Sequence, residues 1–194
     1  MTLHKKAASV GIAVGLVTAG WGITAGSAAA MAGTAAPTAG VAASPTAQPV
    51  SSQDRMFMAD ASQINLTEIA LGTYIQAHAS TATVKDLGAQ YARDHAAAQD
   101  RLRALASRLH VALPTAPGAQ LGSIMSRIEA QKGRHLDVDF VRFSVVGHEA
   151  AIALTRKEQG AGSNPQVKAY AAYFLPMLQM HLKMAEHAAS ALAG

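Results

Sequence analysis

The 194-residue chain is half hydrophobic, with 14% charged and 5% aromatic residues, enough apolar material for one sizeable core. It has no cysteine, which excludes disulfides, thiolate chemistry and a lipidated cysteine anchor. The formal charge of +4 is not gathered into a Lys/Arg face interleaved with aromatics, so nucleic acid is not an expected partner.

Alanine supplies much of the apolar content and period-2 runs of β-branched residues are missing, so the expected class is all-α. The chain opens on a basic "MTLHKK", an uncharged apolar run from Ala7 to Gly26, and the small-residue stretch "SAAAMA". That order is the order of a secretory signal peptide, with cleavage expected near Ala30 and residues 1–30 removed. An uncleaved anchor is the competing reading, but Gly, Ala and Thr make the run weakly hydrophobic for a bilayer span. No transmembrane span is expected after cleavage. The expected location is the periplasm, with the outer membrane as the surface it associates with. Losing Lys5 and Lys6 leaves 14 basic and 12 acidic side chains. Residues 31–51 are rich in Ala, Pro and Thr and carry no charge, as expected for a flexible linker.

The domain is expected over residues 52–192. A first helix is predicted over Gln53–His78, with the seam Phe57, Ala61, Ile64, Glu68, Leu71, Ile75, His78 in steps of four and three. "ASTAT" breaks it, and Thr83 is the expected N-cap of a second helix over Val84–His110. The second seam is Val84, Leu87, Tyr91, His95, Ala98, Leu102, Leu105, Leu109. "ALPTAPG" ends that helix, because Pro114 and Pro117 cannot continue it. A short helix, Ala119–Ala130, is expected in the long connection that follows.

A third long helix is predicted over Asp137–Gln159, with His135 in the loop before it. Two apolar rows compete for its buried face: Leu136, Phe140, Phe143, Gly147, Ala150, Leu154, and Val141, Val145, His148, Ile152. "GAGSNP" is a stop and a restart, with Gly160 or Gly162 closing one helix and Asn164 and Pro165 as N-cap and first residue of the next. The fourth long helix, Pro165–Leu192, carries the seam Val167, Ala171, Phe174, Leu178, His181, Ala185, Ala188, Leu192, and Pro176 should kink it or free a carbonyl. The architecture expected is a ferritin-like up-down four-helix bundle with a short extra helix in the crossover between the second and third long helices.

Glu68, His95 and His181 occupy seam positions and His148 lies on a buried row. A buried unpaired polar group costs about 1–3 kcal/mol, so each needs a partner. One reading is a hydrogen-bonded core network, with Glu68 accepting from His95 and with Tyr91 or Thr155 joining. The other is a metal site built from Glu68, His95, His148 and His181, whose carboxylate and imidazoles suit zinc, copper or iron. Counted from the turns, Glu68 and His95 fall at one level, whereas His181 is offset from His148 by about 7 Å. Ala92 and Leu178 stand three residues before His95 and His181, so the paired Glu-x-x-His signature of di-iron bundles is missing. Met177, Met180 and Met184 surround His181; their thioethers suit Cu(I), or they simply fill the core. His78, His110 and His187 fall at helix ends, and Asp94 is a candidate supporting residue beside His95. No hydrolase triad, P-loop or dinucleotide fingerprint occurs.

Several stretches resemble a known family: "INLTEIALG" around Glu68, "VKDLGAQYARDHAAAQDRLRALA" with Asp94 and His95, Leu113–Pro114, "LDVDFVRFSVVGHEAAIAL" with His148, and "NPQVKAYAAYFLPMLQMHL" with Pro176 and His181. Together they look like the bacterial domain-of-unknown-function family 4142, described as outer membrane proteins of ferritin-like four-helix fold. The resemblance spans about Ser52 to Leu192 and implies export, a bundle and buried histidines, but no reaction. Leu136 and Phe140 depart mildly from its Phe-Asp and Tyr pattern. The second half also resembles exported His/Met-rich bundles implicated in copper handling, although those carry paired histidines where this chain has "GHEA". The function expected is a non-enzymatic exported bundle that holds a metal ion at the buried His/Glu cluster. The alternative is a structural or stress-related envelope module with an unidentified envelope protein as partner, its buried residues forming only a core network.

Overall fold

A computed structural model describes residues 48–194; the expected leader and most of the linker lie outside the described residues. Five helices follow in order: α1 (Ser52–His78), α2 (Ala82–Leu109), α3 (Ala119–Glu129), α4 (Gly133–Ala161) and α5 (Pro165–Ala193). Among the described residues there is no strand, and no helix is long and apolar enough to cross a membrane.

Polar anchors at the two ends set the helix directions. At one end the buried carboxylate of Asp137, in the first turns of α4, accepts from the Ser80 N–H (2.8 Å) and Oγ (2.8 Å) and from the Thr81 N–H (3.0 Å) and Oγ1 (2.9 Å). The start of α4 is thereby fixed to the α1–α2 turn. The Arg134 side chain, beside it, donates to the Leu192 carbonyl at the end of α5. At the other end Asp54 caps α1 with Ser51 and also accepts from the Ser163 and Asn164 N–H groups of the α4–α5 turn. Relative to α1, therefore, α2 and α4 run antiparallel and α5 runs parallel. This is the up-down-down-up order of a ferritin-like bundle, with α3 and its flanking loops as the long crossover.

Thr81 rather than Thr83 caps α2, its Oγ1 accepting from the Val84 N–H at 3.4 Å, so the helix begins earlier than its hydrophobic pattern suggests. α4 also begins earlier, at Gly133 with φ 55°, and His135 is helical rather than in a loop. Asn164 and Pro165 cap and open α5 as expected, Asn164 Oδ1 accepting from the Gln166 and Val167 N–H groups. α5 runs unbroken through Pro176. Pro176 and Ala172, whose carbonyl the proline leaves without its helical donor, are both on the exposed face, where solvent can reach that carbonyl.

Of the two rows proposed for the third long helix, neither is buried throughout: Leu136 and Phe140 of one are buried at the start of α4, and in the row through His148 only Val145 is half-buried. Val141, Ser144, His148, Ala151, Ile152 and Thr155 face inward, while Gly147, Ala150 and Leu154 drift outward past Phe140. α1 and α2 approach each other closely at Gly72 and Gly88, where a Cβ on Gly72 would stand 2.6 Å from the Gly88 carbonyl oxygen.

The apolar core is split in two. Phe57, Leu102, Phe174 and Leu178 belong to the half nearer the α4–α5 turn. Leu71, Ile75, Tyr91 and Phe140 belong to the half nearer the α1–α2 turn. The buried polar side chains Asn65, Glu68, His95, His148 and His181 lie at sequence positions between them, forming a layer across the middle of the bundle.

A three-histidine centre between the core halves

Three of the four side chains singled out from the sequence converge. His95 on α2, His148 on α4 and His181 on α5 are 0%, 1% and 0% exposed. Each offers one ligand atom, and these atoms all lie within 4.8 Å of one another. The ring centroids are 5.2–5.9 Å apart, with interplanar angles of 52–74°, so the imidazoles meet at their edges rather than stack.

The tautomers follow from the outer nitrogens. His95 Nδ1 is 2.9 Å from Asn65 Oδ1, His148 Nδ1 is 2.8 Å from the Ser144 carbonyl oxygen, and His181 Nε2 is 2.8 Å from Asp94 Oδ2. An amide oxygen, a carbonyl and a carboxylate only accept, so each ring donates outward. The inner nitrogens, His95 Nε2, His148 Nε2 and His181 Nδ1, therefore carry lone pairs, and all three are buried without a hydrogen-bond partner. A buried acceptor left without a donor is costly, and here three share one place. Protonation does not relieve them. Burial lowers the pKa of all three, with the neighbouring imidazoles adding to the effect at His95; His148 falls to about 4 and His95 falls well below its ordinary range. At His181 the Asp94 carboxylate opposes the lowering without cancelling it.

The offset expected for His181 disappears for a geometric reason. Counted from the helix ends, His148 lies 13 residues before Ala161 and His181 lies 16 after Pro165. The three-residue difference is about 4.5 Å of rise. Side chains tilt toward the N-terminus of their own helix, and α4 and α5 are antiparallel. The tilt carries His148 away from the turn and His181 toward it, and the two levels meet.

The expected hydrogen bond from His95 to Glu68 does not form. Asn65, one turn earlier on α1, takes that place. Its Nδ2 donates to Gln99 Oε1 (3.1 Å) and to the Tyr170 hydroxyl (3.3 Å). Gln99 Nε2 then donates to Ser62 Oγ (2.9 Å), which donates to the Pro114 carbonyl (3.1 Å). All members point their donors away from the centre, so this chain fixes His95 as a lone-pair bearer facing inward. The sequence pattern missed Asn65 because Ile64, beside it, fits the apolar seam. Glu68 is buried, but it is outside the set of mutually close ligand atoms. Its Oε2 has no partner, and burial raises its carboxyl to about 8. It lies near Tyr91, whose phenol is pushed above its ordinary range by burial and then by this carboxylate. The Tyr91 ring packs 4.4 Å from His181 and 4.8 Å from His148, and its hydroxyl donates to the His181 carbonyl at 2.8 Å.

The methionines around His181 separate. Met177 packs against one apolar half and Met184 against the other, while Met180 is 44% exposed. Met177 and Met184 thus pack on either side of the polar layer. His78 stacks on Tyr74, with ring centroids 4.1 Å apart, at the end of α1.

The family model for the Domain of unknown function (DUF4142) matches residues 39–188. The chain belongs to the DUF4142 family. Its three inward-facing histidines, and the Asn65 and Asp94 side chains that orient two of them, all fall within the matched DUF4142 region. No curated protein matches the sequence. Among solved structures, the DUF4142 bundle is similar to the crystal structure of a DUF305 fragment from Deinococcus radiodurans. That match has a TM-score of 0.65 at 13% identity, over 73% of this chain and 98% of the fragment. At that identity the likeness establishes the shared helical fold alone.

Proposed function

We propose that the bundle centre is a metal-ion site, with His95 Nε2, His148 Nε2 and His181 Nδ1 as ligands. One observation carries this reading: three neutral imidazoles present buried, unpartnered lone pairs to one another. Nitrogens bound to one zinc ion at about 2.0–2.1 Å stand roughly 3.3–3.6 Å apart, so the separations here require only a small contraction. The hydrogen-bonded outer nitrogens support the same conclusion, since metal-bound histidines ordinarily donate their second N–H to a carboxylate, carbonyl or similar acceptor. Three neutral nitrogens suit a first-row transition ion, namely zinc, copper or iron, and suit calcium or magnesium poorly.

The histidines are sealed between two apolar halves, and none of them lines either surface groove on α5. That enclosure favours holding an ion over turning over a substrate, and we read the protein as a non-enzymatic metal-binding bundle. The signal-like residues 1–30 support export to the periplasm as the setting of this role. A purely structural core network is the lesser reading: the Ser62–Gln99–Asn65 chain is such a network, but it ends at the outer nitrogen of His95 and leaves all three inner nitrogens unpaired.

The test is elemental analysis of protein purified from the exported fraction, with circular dichroism as the control for folding. About one transition-metal ion per chain is expected, and His95→Ala should lose it while remaining helical. Stoichiometric metal retained by His95→Ala would reject these ligands.

A further inference from the structure

We infer that Asp94 is the port through which a divalent transition-metal ion reaches the three-histidine centre. The inference rests on the metal site proposed above. Two of the three histidines are anchored to partners that never meet water. His95 is held by Asn65, which is fully buried and leads on to the buried Gln99 and Tyr170. His148 is held by the carbonyl of Ser144, whose residue is also fully buried. His181 alone is held by a side chain that reaches solvent: the Asp94 side chain is 25% exposed.

The bonding at Asp94 is one-sided. Gln90 Nε2 donates to Oδ2 at 2.7 Å and His181 Nε2 lies 2.8 Å from the same oxygen. No hydrogen bond reaches Oδ1, and among the described residues no Lys or Arg pairs with this carboxylate. Arg93 is nearby, but its guanidinium donates to Gln90 Oε1 instead, at 2.7 Å. Asp94 therefore presents a carboxylate with one oxygen free of hydrogen bonds, on a side chain that reaches solvent. A single imidazole ring separates it from the centre: His181 bonds Asp94 through Nε2 and points its unpartnered Nδ1 inward. A hydrated cation drawn to Oδ1 arrives beside the one ligand whose far edge already faces the other two histidines. Carboxylates on such approaches raise encounter rates by attraction that salt screens.

The experiment is stopped-flow uptake of Zn²⁺ or Co²⁺ by the metal-free full chain at several ionic strengths. Asp94→Asn keeps an acceptor for the His181 N–H but removes the charge. Its association rate should fall at least tenfold, and the decline of rate with salt seen in the wild type should flatten. Asp94→Glu, which keeps the charge, should recover most of the rate. Asn65→Ala, which loosens a ligand with no route to water, should act on dissociation. An association rate for Asp94→Asn within twofold of wild type, with unchanged salt dependence, would overturn the port and leave Asp94 a residue that only positions His181. A wild-type chain that takes up no ion would refute the centre itself, and that result is distinguishable from the first.

Discussion

Replacing one inner ligand with an apolar side chain should affect the empty and loaded proteins in opposite directions, and His148→Leu is the substitution that shows it. In the metal-free chain His148 Nε2 is a buried acceptor without a donor. Removing it relieves about 1–3 kcal/mol. The same change deletes the Nδ1–H bond to the Ser144 carbonyl, worth about 1 kcal/mol. That carbonyl keeps its helical bond, so no new orphan is left. The net expectation is a metal-free variant as stable as wild type or more stable by up to about 2 kcal/mol, since Leu is close to His in size. For a domain of this length 1 kcal/mol moves the melting temperature by about 3 °C, so the gain is about 0–6 °C. Loaded wild type behaves otherwise. At an ion concentration 100 times Kd, binding adds about 2.7 kcal/mol, or roughly 8 °C. With one of three ligands gone the variant should gain less than about 2 °C from the same ion. Differential scanning fluorimetry with EDTA, then with Zn²⁺ or Cu²⁺, reads both numbers. A metal-free variant destabilised by more than about 3 kcal/mol would mean that His148 stabilises the core on its own account. A metal shift equal to that of wild type would remove it from the ligand set.

Gly72→Ala should destabilise the bundle by about 1–3 kcal/mol, because its Cβ would meet the Gly88 carbonyl at 2.6 Å and neither backbone can yield without separating α1 from α2; an unchanged urea midpoint would show that this crossing is loose. Glu158 gives a pH signature. Burial, and then the neighbouring Asp54 carboxyl group, push its carboxyl up to about 7, while Asp54, despite its own burial, is held near 2 by the groups that hydrogen-bond it, Ser51 first and the Asn164 N–H after it. Between pH 4.5 and 7 the unfolded chain releases a proton that the folded one keeps, so this group's contribution falls as pH rises through that window. Subtracting the stability curve of Glu158→Gln from that of wild type should leave a decline of about 1–2 kcal/mol across it, and a flat difference would show that Glu158 is not proton-linked to folding.

Much of this bundle is legible in the order of its residues. Apolar side chains at steps of three and four mark which stripe of each helix is buried, because burial follows the helical period whatever the partner. His95, His148 and His181 fall on those stripes, and Asn164 with Pro165 marks a helix start through local chemistry alone. Periodicity could not show which way each imidazole turns or what satisfies its outer edge, since these depend on side chains contributed by other helices. Asn65 rather than Glu68 holds His95 because it stands at the level where Nδ1 points. His181 joins His148 because side chains on the two antiparallel helices tilt in opposite directions along the axis, which at these positions closes the offset, an effect that counting residues from a turn omits. The spacing of each seam is a property of one strand of sequence; the meeting of three lone pairs is a property of α2, α4 and α5 packed together, and only the folded chain creates it.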